Sequence, residues 1–225
     1  MKPWVHLDAA DVPGGTTQLR LKRRGDEYSI MLGTNELMNS RLSGSEQALA
    51  DLVAERIADR AAPKLLIGGL GMGFTLRAAL RRFSADAEIT VAELVPAVIA
   101  WANGPLAPVF ADSLADPRVS IVNDDVGSLI AANSLGYDAI LLDVDNGPEG
   151  LSREQNNGLY DQTGLQQARA ALRPAGLLAV WSSAPSPAFT RRLGRAGFAA
   201  EEVTVRASTH GRGARHMIWI ATKRG

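Results

Sequence analysis

At 225 residues, 46% apolar and 21% charged, the chain suits one globular domain of ordinary size with a small appendage, and it is too short for two full domains. Lysine plus arginine balances aspartate plus glutamate at 24 each, so no global positive field exists to hold a phosphate backbone, and nucleic acid is not expected as a partner. The absence of cysteine excludes disulfides, thiolate nucleophiles and Cys-ligated zinc or iron–sulfur sites together, and it is compatible with a reducing cytoplasm, the expected location.

The N-terminal Met1-Lys2-Pro3-Trp4 leads into Asp8 and Asp11 without the apolar run and small-residue cleavage site of a signal peptide, so export is not expected. Nowhere do about 18 apolar residues run uninterrupted, the length a membrane-spanning helix needs, and no membrane association is expected. From Trp4 to about Leu32 short β-like pieces alternate, with Gly14-Gly15 and Arg24-Gly25-Asp26 supplying turn chemistry, which predicts two or three antiparallel strands. Ser43 and Glu46 have the S-x-x-E spacing of a capping box, and Leu49, Leu52, Val53 and Ile57 follow at helical spacing. One amphipathic helix is predicted there. Residues 1–42 are accordingly expected to form a small β extension, and residues 43–225 the main domain.

After Pro63 short apolar runs alternate with helical patterns, as in a parallel sheet covered by helices. Lys64 to Ile67 is the first predicted strand and Phe74 to Phe83 the first helix. Ile89 to Ala92 is the second strand, a helix carries Val98, Ile99 and Trp101, and a loop broken by Pro105, Pro108 and Pro117 leads to a third strand at Val119 to Val122. Ser128 to Ala132 is predicted helical and Ala139 to Leu142 is the fourth strand. A helix over Leu165 to Leu172 is closed by Pro174 and Gly176, and Leu177 to Trp181 makes the fifth strand. The tail reads as a helix at Phe189 to Leu193 and a terminal hairpin from Glu202 to Arg206 and Met217 to Thr222. The fold class is therefore α/β, a Rossmann-like doubly wound sheet of about seven strands with its last hairpin antiparallel.

Directly after the first strand comes Gly68-Gly69-Leu70-Gly71-Met72-Gly73, and a helix follows at once. Backbone amides of the turn and of the helix N-terminus converge there, and a ligand edge approaches the main chain closely only where side chains are absent. Twenty residues beyond Gly73, Glu93 with Leu94 stands at the end of the second strand, where a carboxylate can accept hydrogen bonds from both hydroxyls of a ribose. A tight βα turn and a solvated strand end would account for the same residues taken singly. The dinucleotide fingerprint G-x-G-x-x-G fails, because the sixth position from Gly69 is Phe74; the surviving G-x-G-x-G suits a cofactor without a pyrophosphate. Asp124 and Asp125 follow the third strand, where either one can bind an adenine amine or cap the next helix. Asp143 and Asp145 follow the fourth, where paired acids can hold a cationic amine and take its proton, or serve only as turn residues before Asn146-Gly147-Pro148.

From about Leu65 to Trp181 these residues resemble the spermidine synthase family of aminopropyltransferases, which has the class I S-adenosylmethionine methyltransferase fold. Gly69-Leu70-Gly71-Met72-Gly73-Phe74 before Leu76-Arg77 resembles the family's G-G-G-D-G-G loop and Leu-Arg pair. Glu93 resembles its ribose-binding acid and Asn123-Asp124 its Gly-Asp adenine motif. Asp143-Val144-Asp145-Asn146-Gly147-Pro148 resembles the D-S-x-D-P-x-G-P segment, whose first Asp is the family's catalytic base, and Leu159-Tyr160 resembles its L-Y/F segment. The resemblance implies Asp143 as catalytic base, with Gly69, Gly71, Met72, Gly73, Glu93, Leu94, Asp124, Asp125 and Asp143 at the cofactor and Asp145 and Tyr160 at a small amine substrate. Met72 stands where the family has an Asp that holds the amine of decarboxylated S-adenosylmethionine, so that compound and S-adenosylmethionine itself both stay open as cofactor. Aminopropyl transfer is the leading function, methyl transfer the alternative, and a non-catalytic binding or dimerisation module a second alternative. The family's N-terminal domain commonly supports dimers, which implies a homodimer as one assembly of this chain.

Glu46 also matches the family's Y-x-E, yet Gly44 replaces the Tyr, and a plain capping box is the simpler account. His6, His210 and His216 share no ligand spacing with an acid, so no metal is expected. Arg206, His210, Arg212, Arg215 and His216 read as a solvated hairpin tip, and the four tryptophans as packing residues.

Overall fold

The period-two alternation of the first forty residues builds a four-stranded antiparallel meander in the computed structural model, which describes residues 2–15, 17–144, 147–148, 157–208 and 213–225. Its strands are β1 (Val5–Asp11), β2 (Gln18–Arg24), β3 (Glu27–Leu32) and β4 (Asn35–Asn39). Alternate residues Leu19 and Leu21 of β2, with Tyr28 and Ile30 of β3, are buried in the same core as the larger sheet. The fourth strand was not expected from the sequence, because only Leu37 and Met38 in it are apolar. The outer strand β1 is mostly exposed, and Asp8 on it accepts a 2.7 Å hydrogen bond from Trp101 Nε1. Helix α1 (Gly44–Arg56) follows and buries Leu49, Ala50, Val53 and Ala54.

The remainder runs β5 (Lys64–Gly68), α2 (Phe74–Arg82), β6 (Glu88–Ala92), α3 (Pro96–Asn103), α4 (Ala107–Phe110), β7 (Val119–Val122), α5 (Val126–Ala132) and β8 (Tyr137–Leu142). Then come α6 (Asn157–Tyr160), α7 (Gln162–Ala171), β9 (Leu172–Ser182), α8 (Pro187–Arg195), β10 (Phe198–Arg206) and β11 (Arg215–Lys223). The seven strands are ordered β7-β6-β5-β8-β9-β11-β10; β5 to β9 pair in parallel, and β11 is antiparallel to both its neighbours. This is the predicted α/β seven-stranded sheet. Consecutive strand residues feed opposite faces, as Leu65 and Ile67 do against Leu66, so both faces are apolar and helix-covered.

Two boundaries differ from the sequence reading for local reasons. Helix α7 ends one residue before Leu172, which already pairs with Tyr137; a register shift before Ala139 then admits Pro174 inside β9. Helix α5 starts at Val126 rather than Ser128, because the Asp125 carboxylate caps it by accepting from the Gly127 and Ser128 amides. No helix among the described residues is long and apolar enough to cross a membrane.

At the end of the sheet away from the glycine loop, Asp138 is 2% exposed and accepts from Arg60 Nη1 at 2.5 Å, Arg173 Nη1 at 2.8 Å and the Lys64 amide at 2.8 Å. Removing the carboxylate strands both guanidiniums, but their side chains are 27% and 34% exposed, which softens the loss. Asp138→Ala is therefore expected to cost about 2–3 kcal/mol, below the 3–5 of a fully buried pair, read as a lower urea midpoint at unchanged slope.

Candidate active site

Parallel register aligns the four central strand ends, pairing Gly68 with both Ala92 and Leu142, and Ala92 with Val122. The next residues, Gly69, Glu93, Asn123 and Asp143, therefore stand in one row along the C-terminal edge of the sheet. Strand order reverses between β5 and β8, and that switch point is where open α/β sheets form a ligand crevice. Gly69 and Asp143 flank it. A Cβ on Gly69 would lie 2.5 Å from the Asp143 carbonyl oxygen, and its φ of +89° also favours glycine, so sterics alone fix this residue type. Gly73, at φ +72°, opens α2 with the Phe110 ring packed where a Cβ would stand.

Glu93 is 8% exposed and joins β6 to the glycine loop: Oε2 accepts from the Leu70 amide at 3.0 Å and Oε1 from the Val95 amide at 2.8 Å. Burial pushes its carboxyl up, and these backbone amides pull it down. The Gly71 and Leu94 amides also lower it, so the carboxylate is tied mainly to the main chain around the glycine loop. Leu94 is half-buried beside it, and Asn123 Nδ2 ties the row together by donating to the Glu93 carbonyl at 2.7 Å. The loop's side chains divide unexpectedly. Met72, expected at the cofactor, has no exposed surface and packs into the core, which an apolar side chain prefers to a polar crevice. Over Gly71 lies Met38 of β4, whose methyl carbon is 2.7 Å from where a Cβ would be.

Of the two acids after β7, Asp124 is exposed at the rim and accepts from the Asp125 amide, whereas Asp125 is committed to capping α5. Tyr160, expected at the substrate, is 2% exposed; its ring meets Phe189 edge-on and its hydroxyl reaches the Val144 carbonyl at 3.4 Å. It therefore buttresses the chain next to Asp143 from behind. Asp145, His210 and Arg212 lie outside the described residues.

Glu46 corrects the sequence reading. The Ser43 side chain makes no capping bond, and the Glu46 carboxylate turns inward and accepts from Ser45 Oγ at 2.7 Å. Its charge, together with burial, raises the Asp143 carboxyl to about 7, burial being the larger cause; burial raises Glu46 as well. Thr75 Oγ1 holds Asp143 Oδ2 at 2.6 Å and lies 3.2 Å from the Glu46 carbonyl oxygen, so α1, α2 and the end of β8 meet at one hydroxyl. Neither acid has an arginine or lysine partner among the described residues, where no group of acids and histidines suited to a metal ion occurs either. His216, read as part of a solvated tip, instead packs edge-on against Trp181 at 4.8 Å and lies 2.9 Å from Ser45 Oγ. As a site residue Glu46 was visible in sequence only through the family's Y-x-E, its capping-box spacing pointing to a structural role; Ser45, Thr75, Met38 and His216 carried no local signal for the site.

The fold defines a protein of the methyltransferase-like α/β class, with a row of glycine and polar residues at its switch point. No protein-family model matches the chain. A polyamine aminopropyltransferase of Mycobacterium tuberculosis (strain ATCC 25618 / H37Rv) is 33% identical over 172 residues, covering 75% of this chain and 31% of that protein. A putrescine N-methyltransferase 3 of Nicotiana tabacum is 32% identical over 116 residues, 51% of this chain and 29% of the relative. Among solved structures, spermidine synthase in complex with the transition-state analogue AdoDATO superposes with a TM-score of 0.77 at 18% identity, covering 97% of this chain and 74% of that one. The chain is similar in sequence to these aminopropyltransferases and shares the methyltransferase-like fold of the spermidine synthase structures. The matched segment spans about a third of the mycobacterial relative's length.

Two half-buried acids without cations among the described residues burden the fold, and the sign of that burden is fixed. A carboxyl whose folded value is raised holds its proton longer folded than unfolded, so stability falls as pH rises from about 4 through about 7. Asp143→Asn is expected to raise the melting temperature at pH 8 by roughly 2–8 °C, for relief of about 1–2 kcal/mol at this chain length. That gain should shrink steadily as calorimetric scans are repeated down to pH 4.

Proposed function

We propose that the chain transfers an aminopropyl group from decarboxylated S-adenosylmethionine to a small amine of the polyamine class. One observation carries this reading: Glu46 and Asp143, two carboxylates without a cationic partner among the described residues, converge beside the glycine loop at the switch point. Such a pair suits a cationic amine, whose charge compensates both acids. The names of the bacterial relatives support the same class. Bound in the crevice, the donor supplies a carbon already activated by its sulfonium. The residues' own tasks are then few. Glu93 and the amides around Gly69 and Gly71 hold the nucleoside, and Glu46 draws the ammonium in. Thr75 keeps one oxygen of Asp143 fixed and leaves the other to take the amine proton, so that a neutral nitrogen faces the donor in line. Residues 43–225 carry this chemistry, with residues 1–42 as a cover that lays Met38 over Gly71.

A second reading, methyl transfer from S-adenosylmethionine itself, is favoured by Met72. An apolar, buried side chain at the position of the family's donor-amine Asp removes one discriminator for the decarboxylated donor. The likeness to plant putrescine N-methyltransferases points the same way. The two readings share the acceptor and the base and differ in the donor.

Titration calorimetry with both donors, followed by mass analysis of an incubated diamine, separates them. Tighter binding of the decarboxylated donor and an aminopropylated product is the expected result. Preference for S-adenosylmethionine with a methylated product establishes the second reading, and binding of neither leaves a non-catalytic module. Asp143→Asn should lower kcat by about 10²-fold or more with donor affinity unchanged; a loss of only a few fold refutes the base assignment.

A further inference from the structure

The mechanism leaves one proton unaccounted for. The acceptor arrives as an ammonium ion, R–NH3⁺. When the C–N bond forms and the C–S bond breaks, its electron pair stays on sulfur, the product is a secondary ammonium, and one proton is released per turnover whichever group moves. Asp143 can take that proton first, but this half-buried base, held by Thr75 beside Glu46, must lose it again before the next cycle.

A hydrogen-bonded path leads from Glu46, the acid beside Asp143, to β11 along the same edge of the sheet. Glu46 Oε2 is 2.7 Å from Ser45 Oγ, and Ser45 Oγ is 2.9 Å from His216 Nδ1. Ser45 is 1% exposed, so its hydroxyl has these two neighbours rather than bulk water. With Glu46 ionised, the serine donates to the carboxylate and His216 Nδ1–H donates to the serine. With Glu46 protonated, every bond in the row can reverse, and Nδ1 becomes the acceptor. The reversal moves one proton from Glu46 to His216 with no heavy atom displaced. His216 is half-buried on β11, its ring plane fixed by Trp181 of β9. Burial lowers the imidazole, which favours its giving up a proton once received. The charged residues flanking it in the ladder, Arg215 on its own strand and Arg206 on β10, are exposed, and Arg206 is engaged with the Gly213 carbonyl.

We propose that Ser45 and His216 form the exit path for the proton released by amine transfer, carrying it from the Glu46 and Asp143 pair to solvent. This inference rests on the amine-transfer reading of the site and holds for either donor. Neither residue touches substrate; both act through Glu46.

Two measurements test it. In NMR titrations of the ring carbons, the three histidines are distinguished with His216→Gln. His216 should titrate about half a pH unit or more apart in the parent and in Ser45→Ala, because the serine links it to the acid pair. Superimposable curves overturn the path, and this arm needs no turnover. Should Ser45→Ala fail to fold, Glu46→Gln gives the same comparison. In steady-state kinetics, His216→Gln keeps a hydrogen bond to Ser45 but cannot relay a proton. Expected are a kcat lowered about tenfold or more, an unchanged KM for the amine, and recovery on adding imidazole to His216→Gln but not to Ser45→Ala. A His216→Gln variant with the parent's kcat shows a purely structural contact and refutes the proposal. If the parent transfers no group to any amine, the proposed function fails instead, and the titration alone decides whether the path exists.

Discussion

Everything at the site depends on how closely two neighbouring parallel strands end. The Asp143 carbonyl oxygen occupies the space that any side chain on residue 69 would need. Because that oxygen is there, the loop after β5 must turn at once. Turning there brings the Leu70 amide to the Glu93 carboxylate and opens α2 with Thr75 beside Asp143. A single steric constraint thus sets the proposed nucleoside clamp and the proposed base on neighbouring rigid strand ends, the kind of support that holds a site within the tolerance chemistry demands. Widening the β5–β8 gap would separate the clamp from the base even if every functional side chain were kept.

Strand β8 carries an acid near each end, and the contrast between them explains what the site is for. Asp138 at the start is satisfied by two arginines and a backbone amide. Asp143 just past the end has a threonine and a second acid. The first arrangement is a structural lock, since a buried carboxylate is tolerable when paired. The second raises both carboxyls and works against folding above their pKa values. The proposed substrate, a protonated amine, would supply from outside the cation that this arrangement lacks. The same raised acidity that destabilises Asp143 poises it to exchange a proton near neutral pH.

How much of this was legible in the sequence follows from which interactions are local. The glycine loop, Glu93 and the βα alternation announce themselves because turn chemistry and apolar periodicity act over a few residues, and the sheet order follows from right-handed crossovers. Asp125 was undecided between cap and ligand because both roles begin at the same strand end; the amides of Gly127 and Ser128 decided it for the cap. Met72 lies in a loop aligned with ligand-binding residues, and only packing showed its side chain turned inward. Glu46 misled for a different reason. Its S-x-x-E spacing is a genuine local signal, but an acid at N3 can turn toward the helix end or toward the protein, and here the buried Ser45 hydroxyl holds it inward.

Thr75 of α2 apart, the residues that sequence missed come from elements outside the parallel half of the sheet. Met38 reaches the loop from β4, Glu46 and Ser45 from α1, and His216 from β11. The parallel strands alone would offer a nucleoside a place to sit but no second acid for the amine and no route for its proton. Those parts depend on α1 packing across α2 and β9 while the terminal hairpin folds back beside it. The two halves therefore divide the work by distance along the chain. On the proposed function, local turns build the donor clamp and long-range packing the acceptor chemistry, so substitutions in the core under α1 should disturb amine handling before they disturb nucleoside binding.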